Sequence, residues 1–222
     1  QGSILSPILA NIYMYYVLVL WFEKKIQKNF QGESYIIVYA DDFICCFQYQ
    51  KEAELFMNKL LPERLKKFKL EVAKDKTRLI SFGRFAKERS KDGKVDTFDF
   101  LGFTHYCGKS KKGYFRVKRK TSKKKLNKSI KEFKIWIRNN RNLRVTTIIK
   151  LLNIKLRGYY QYYGITDNGE SLNKFLHVIK RTLWKWLNRR SQRRSYTSLE
   201  FAQLLKSYPL ISPKICVNIY DI

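Results

Sequence analysis

Two adjacent aspartates, Asp41 and Asp42, stand between the apolar runs 35–40 and 43–47. β-branched and aromatic residues dominate both runs and read as strands, so the carboxylates fall at or near the turn of a hairpin. Burying a carboxylate costs several kcal/mol unless something pairs with it, and two side by side repel. Asp is itself a favoured turn residue, but the usual tight-turn pairs are Asn-Gly and Asp-Gly. An Asp-Asp pair between two core strands is suited to holding a cation. Neighbours on a strand point to opposite faces, so one of the two is expected to be the main ligand, and Asp41 is the choice.

Charge supplies the second constraint. The chain has 222 residues, with 46 Lys and Arg against 18 Asp and Glu, a net charge of +28. It is unevenly spread: 17 basic and 13 acidic residues through Gly102, then 29 basic and 5 acidic from Phe103 onward. Such an excess attracts polyanions, and the aromatic residues interleaved with the basic ones favour nucleic acid over a membrane surface. Cys45, Cys46, Cys107 and Cys216 form no C-x-x-C pair, and His105 and His177 are the only histidines. No zinc site is expected, and the cysteines read as reduced core thiols of an intracellular, cytoplasmic protein. No secretion signal is expected, and the longest apolar run, Ile12 to Phe22, is too short to span a bilayer.

In chain order, Ser6-Pro7 predicts a helix start with the serine as N-cap. A long, mostly buried helix follows from Ile8 to about Gln27, then the hairpin. Glu52 to about Phe68 predicts a second helix, kinked or broken at Pro62. Strands are expected at 70–72, 78–82, 98–101 and 114–117, with a turn at 90–94. This first part, residues 1–108, reads as α/β with antiparallel pairing.

From Lys109 to Lys150 there are 17 basic residues and one acid, Glu132. Leu126, Ile130, Phe133 and Ile137 nevertheless keep a helical spacing, which predicts a docked helix rather than a basic tail. Helices are further expected at about 146–163, 170–188 and 198–206. Residues 109–222 therefore read as an all-α bundle, basic outside, joined to the first part near residues 105–121. Tyr159, Tyr160, Tyr162 and Tyr163 cannot all face one core from a single helix, and some are expected to stack on bases.

Clustered aspartates together with a polyanionic partner suit metal-dependent phosphoryl transfer, in which two cations activate the attacking oxygen and stabilise the leaving one. Magnesium takes oxygen ligands and keeps several waters, so two or three carboxylates suffice.

The motifs now carry a family resemblance. Tyr39-Ala40-Asp41-Asp42 resembles the Y-x-D-D signature of reverse transcriptases, and residues 1–13, QGSILSPILANIY, are similar to the block preceding it in those encoded by group II introns. The segment from Leu70-Glu71-Val72 through Lys76-Thr77 resembles the next block, and Phe100-Leu101-Gly102-Phe103 the one after. Residues 156–164, LRGYYQYYG, and the segment from 193 to 210 resemble the maturase or thumb region.

The resemblance implies the C-terminal part of a polymerase palm with an antiparallel sheet, followed by a helical thumb or maturase domain X. It implies RNA-directed DNA synthesis with two Mg²⁺ ions, Mn²⁺ being a substitute. The implied partners are RNA template, intron RNA, DNA primer and deoxynucleoside triphosphates, with no membrane. Asp41 and Asp42 would be catalytic metal ligands, and Gln1, Gly2, Tyr39, Ala40 and Lys76 would line the incoming nucleotide. Phe100, Leu101 and Gly102 would support the primer. Lys118, Arg119, Lys120, Lys123, Lys124, Lys125, Arg157 and Tyr160 would hold nucleic acid.

Family members carry a third catalytic aspartate and a fingers region earlier in the chain than the block at Gln1. These 222 residues alone are therefore expected not to polymerise, and no homing endonuclease segment is expected. The alternatives are a maturase-like RNA-binding splicing factor without chemistry, a reverse transcriptase of another retroelement class, and a defective remnant.

Overall fold

A computed structural model describes residues 5–73, 75–89, 93–193 and 195–220. It divides into two units, Gln1–Ile80 and Ser81–Ile222. The expected boundary at 108/109 would cut a strand, because Phe103–Lys109 pairs along its whole length with Phe115–Thr121. Gln1, Gly2 and most of the turn expected at 90–94 lie outside the described residues.

In the first unit residues 6–29 stay helical, as α1 (Ser6–Met14), two wider turns at Tyr15–Val19 and Phe22–Ile26, and α2 (Gln27–Asn29). Ser6 is already the first helical residue and makes no cap; Leu5 occupies that position without a side-chain oxygen to offer. The helix is also less buried than its composition predicts. Val17, Leu18, Phe22 and Ile26 enter the core, while Ile8, Leu9, Ile12, Tyr13 and Tyr16 are exposed. An unbroken apolar run covers every side of a helix, and only one side meets this core. The exposed side forms an open groove of about 540 Å³ with Phe68.

The hairpin follows as β1 (Ser34–Tyr39) and β2 (Asp42–Phe47), paired antiparallel. Next come α3 (Gln50–Leu55), a π-helical turn at Phe56–Leu60 and α4 (Leu61–Lys66). Pro62 does not break this helix. A proline removes one donor and pushes on the carbonyl four residues back. Here the preceding turn widens, with Leu61 N–H donating to the Phe56 carbonyl five residues away. Arg64 donates from Nε to Val17 O (2.9 Å) and from Nη2 to Tyr16 O (3.0 Å), tying α4 to the widened part of the first helix. Gly32 is required for space: a Cβ there would sit 2.6 Å from the Tyr49 ring. No strand forms at 70–72 or 78–82, where the backbone is irregular.

The second unit opens with α5 (Ala86–Arg89) and a three-stranded antiparallel sheet. Its strands are β3 (Phe98–Phe100), β4 (Phe103–Lys109) and β5 (Phe115–Thr121). Four helices follow: α6 (Lys123–Asn139), α7 (Val145–Tyr163), α8 (Gly169–Leu187) and α9 (Ser198–Ser207). The predicted 4-3-4 stripe holds, with Leu126, Phe133 and Ile137 buried and Ile130 packed beside them. Phe175 is the hinge of this core, meeting Phe133 edge-on at 5.1 Å and stacking on Tyr159 at 3.9 Å. Thr197 and Glu200 close a capping box at the start of α9.

One buried polar residue joins sheet to helices. Asn168, wholly buried, accepts from Thr121 N–H (2.7 Å) and donates to Tyr163 O and Thr121 Oγ1 (2.8 Å each). The end of β5, the end of α7 and the start of α8 therefore meet on one amide. Each such bond contributes about 1 kcal/mol net, and an orphaned buried donor costs about 1–3 kcal/mol. Asn168→Ala is expected to lower the unfolding free energy by about 2–4 kcal/mol in urea denaturation, and a loss below about 0.5 kcal/mol would show the node to be dispensable.

Candidate functional site

The carboxylate pair sits where the hairpin turns. Tyr39 pairs with Asp42, leaving Ala40 and Asp41 as a two-residue loop. Ala40 has φ 53°, in the left-handed region that favours glycine. Holding a residue with a Cβ there costs roughly 1–2 kcal/mol, so the two strands must fix the tip. They do so through one apolar face: Ile36, Val38, Phe43, Cys45 and Phe47 pack on the core of the first unit.

Alternation sends Tyr35, Ile37, Tyr39 and Asp42 to the other face, where Tyr35, Ile37 and Tyr39 are 57%, 56% and 62% exposed. Asp41 projects from the tip and Asp42 from the first position of β2, both exposed. Both are hard oxygen donors open to a divalent cation. Among the described residues, no cluster of three or more Asp, Glu, His or Cys side chains forms, so the pair gains no third ligand.

The thiols correct one expectation. Cys45 faces the core, and burial pushes its thiol well above the ordinary range, but Cys46 and Cys216 are exposed. Lys76 is exposed in a turn in which Lys76 and Thr77 N–H both donate to Ala73 O.

In the second unit the strand expected at 98–101 ends at Phe100, and Phe100-Leu101-Gly102-Phe103 is a tight turn. Phe100 pairs with Phe103, and Leu101 (φ 49°) and Gly102 (φ 83°) both lie in the left-handed region. That is the mirror-image turn favoured between antiparallel strands, in which glycine suits the second place and leucine is strained in the first. Two carbonyls of the turn are fixed from outside: Tyr162 Oη donates to Leu101 O (3.0 Å) and Ser122 N–H donates to Gly102 O (2.9 Å).

The sheet divides its cations by alternation. Arg116, Lys118 and Lys120 share a face with Tyr106, and Lys120 Nζ lies 5.3 Å from its ring. Arg119 points the other way, across from His105. His105 stacks on Phe98 (4.8 Å, 5°), and burial, followed by the Arg119 charge, lowers its pKa. The unfolded chain thus takes up a proton near pH 6.5 that the folded chain resists. Stability is expected to be full above that pH and to fall as pH drops below it. Urea midpoints between pH 7.5 and 5 should decline in the wild type and stay flatter in His105→Gln; equal slopes would contradict this.

Lys123, Lys124 and Lys125 fill the exposed first turn of α6, with no acid among them. Cations there oppose the helix dipole and are better served by an anion. Arg157 is exposed on α7. Tyr160 does not serve nucleic acid: it is 3% exposed in the core, and burial raises its pKa to about 12. A base has no ring face to stack on. Tyr162, 56% exposed, is the outward tyrosine.

Sequence reading also passed over Trp186. The charged groups of Arg138, Arg141 and Arg189 lie 5.7 Å from its ring centre and that of Lys185 lies 5.9 Å away. Cations suit the C-terminal ends of α6 and α8 in any protein. Their convergence on one indole was hidden because Arg138 and Arg189 are far apart in the chain.

Residues 1–105, which include the hairpin and the tight turn, match the family model for reverse transcriptase (RNA-dependent DNA polymerase). The hairpin-bearing segment is thus of the reverse transcriptase class. Residues 117–203 match the group II intron, maturase-specific domain, and with both matches in this order the chain belongs to the group II intron-encoded reverse transcriptase/maturase family. No curated protein matches the chain. Among the described residues, no helix is long and apolar enough to cross a membrane.

Proposed function

We propose that this chain supplies the carboxylate hairpin and the RNA grip of an RNA-directed DNA polymerase that also assists splicing of its intron RNA. The observation that carries the reading is the exposed Asp41–Asp42 tip, held by a strained turn, in a chain matched to reverse transcriptase and maturase-specific families. A bound magnesium ion would supply charge neutralisation at the reacting phosphate. Asp41 and Asp42 would hold it, with Tyr39 beside them on the outward face of the hairpin. Gln1, Gly2 and Lys76 remain nucleotide contacts in this proposal.

The RNA grip is assigned to Arg116, Lys118 and Lys120 on the sheet, to Lys123–Lys125 and to the cations around Trp186. The last two groups sit at opposite ends of α6, whose 17 residues span about 25 Å at 1.5 Å each. A single RNA strand held at both ends would lose less freedom on its second contact than on its first. The exposed Tyr162 offers a face for a base, its hydroxyl donates to Leu101 O, and Phe100, Leu101 and Gly102 are assigned to the primer.

A second reading, RNA binding without chemistry, is favoured by one observation: no third ligand joins the two aspartates among the described residues. One set of variants separates the two. In a protein that extends this chain with a fingers region and a third aspartate, Asp41→Asn is expected to abolish primer extension while leaving RNA affinity within about twofold. Replacing Arg138, Arg141 and Arg189 together with Gln is expected to weaken RNA binding and to flatten the log–log salt dependence by roughly two to three units. Undiminished primer extension in Asp41→Asn would overturn the catalytic assignment, and an unchanged salt slope would overturn the grip.

A further inference from the structure

The turn at Phe100–Phe103 lies in the segment matched to reverse transcriptase, whereas Tyr162 lies on α7 in the segment matched to the maturase-specific domain. The two meet in three ways. Tyr162 Oη donates to Leu101 O at 3.0 Å. The Tyr162 ring lies nearly parallel to that of Phe103, at 6.0 Å and 12°. Tyr163, the next residue on α7, meets Phe103 edge-on at 5.5 Å. The turn they hold is one that its own sequence disfavours, since Leu101 takes φ 49° where Asn or Gly is the comfortable residue.

We propose that Tyr162 is a positioning residue whose hydroxyl, delivered by a maturase-specific helix, keeps the Leu101–Gly102 turn in the form that contacts a primer–template hybrid. The proposal rests on the functional reading above, which puts Phe100, Leu101 and Gly102 against the primer. A stacking role alone would be met equally well by phenylalanine. The hydroxyl adds a donor at the carbonyl of Leu101, the residue held in the left-handed region. The whole effect hangs on one oxygen.

The experiment compares the wild-type chain with Tyr162→Phe, which keeps the ring and removes only the donor. Amide hydrogen exchange is read at residues 101–103, and binding to an RNA–DNA hybrid is read by anisotropy at several salt concentrations. Tyr162→Phe is expected to speed exchange in the turn by about tenfold and to weaken hybrid binding by about three- to tenfold. The salt slope should stay unchanged, because no cation has been removed. In the Tyr162→Phe background, Leu101→Asn builds the Asn-Gly pair that this turn favours and is expected to restore slow exchange.

Unchanged exchange in Tyr162→Phe overturns the proposal. So does faster exchange with unchanged affinity, because the hydroxyl would then serve the fold alone. A wild-type chain that fails to bind the hybrid overturns the functional reading itself, and the positioning role falls with it.

Discussion

The excess of 29 basic over five acidic residues from Phe103 onward repels itself, and buried apolar contact between α6, α7 and α8 is what resists it. Ile137, Leu152, Leu156, Phe175, Ile179 and Leu183 are each essentially removed from water. Burial of this kind contributes about 1.5–3 kcal/mol per large side chain before the cost of ordering it. Most of the charged groups stay outside, where water screens them, although guanidinium nitrogens of Arg119 and Arg190 are buried. Such an arrangement leaves cations without acids beside them, and a phosphate backbone would relieve the repulsion that the fold tolerates.

The first unit solves a different problem. Its hairpin must hold two carboxylates in water while its other face is anchored in a core. Period-two alternation does this: Val38 and Phe43 point inward, and Tyr39 and Asp42 point outward. The strain at Ala40 sits at the tip, beside Asp41. Leu101 repeats the device in the second unit. In both turns the non-glycine residue is held by neighbours, and both turns fall within the segment matched to reverse transcriptase.

Much of this was legible in the sequence because it depends on local pattern. The Asp-Asp hairpin, the stripe from Leu126 to Ile137 and the helix that begins after Asn168 follow from spacing and turn residues alone. The misses came from tertiary context. The run from Ile12 to Phe22 is apolar all round, so composition cannot say which side meets a core. A kink or break was expected at Pro62 because the widened turn that accommodates it leaves no mark in the sequence. The strands expected at 70–72 and 78–82 do not form, and the backbone there is irregular. Tyr160 and Tyr162 look alike in the chain, yet two residues of helical rotation put one in the core and the other in solvent. Asn168 and the cations around Trp186 were invisible because their partners lie tens of residues away.

The account turns on the Asp41–Asp42 tip as a cation holder. Titrating Mn²⁺ into the protein and following the free-ion signal by electron paramagnetic resonance tests this without requiring turnover. The wild-type chain should withdraw more ion from solution than the Asp41→Asn, Asp42→Asn double variant at the same concentration. Superimposable titrations would contradict the account and leave the hairpin a strained turn with no assigned chemistry.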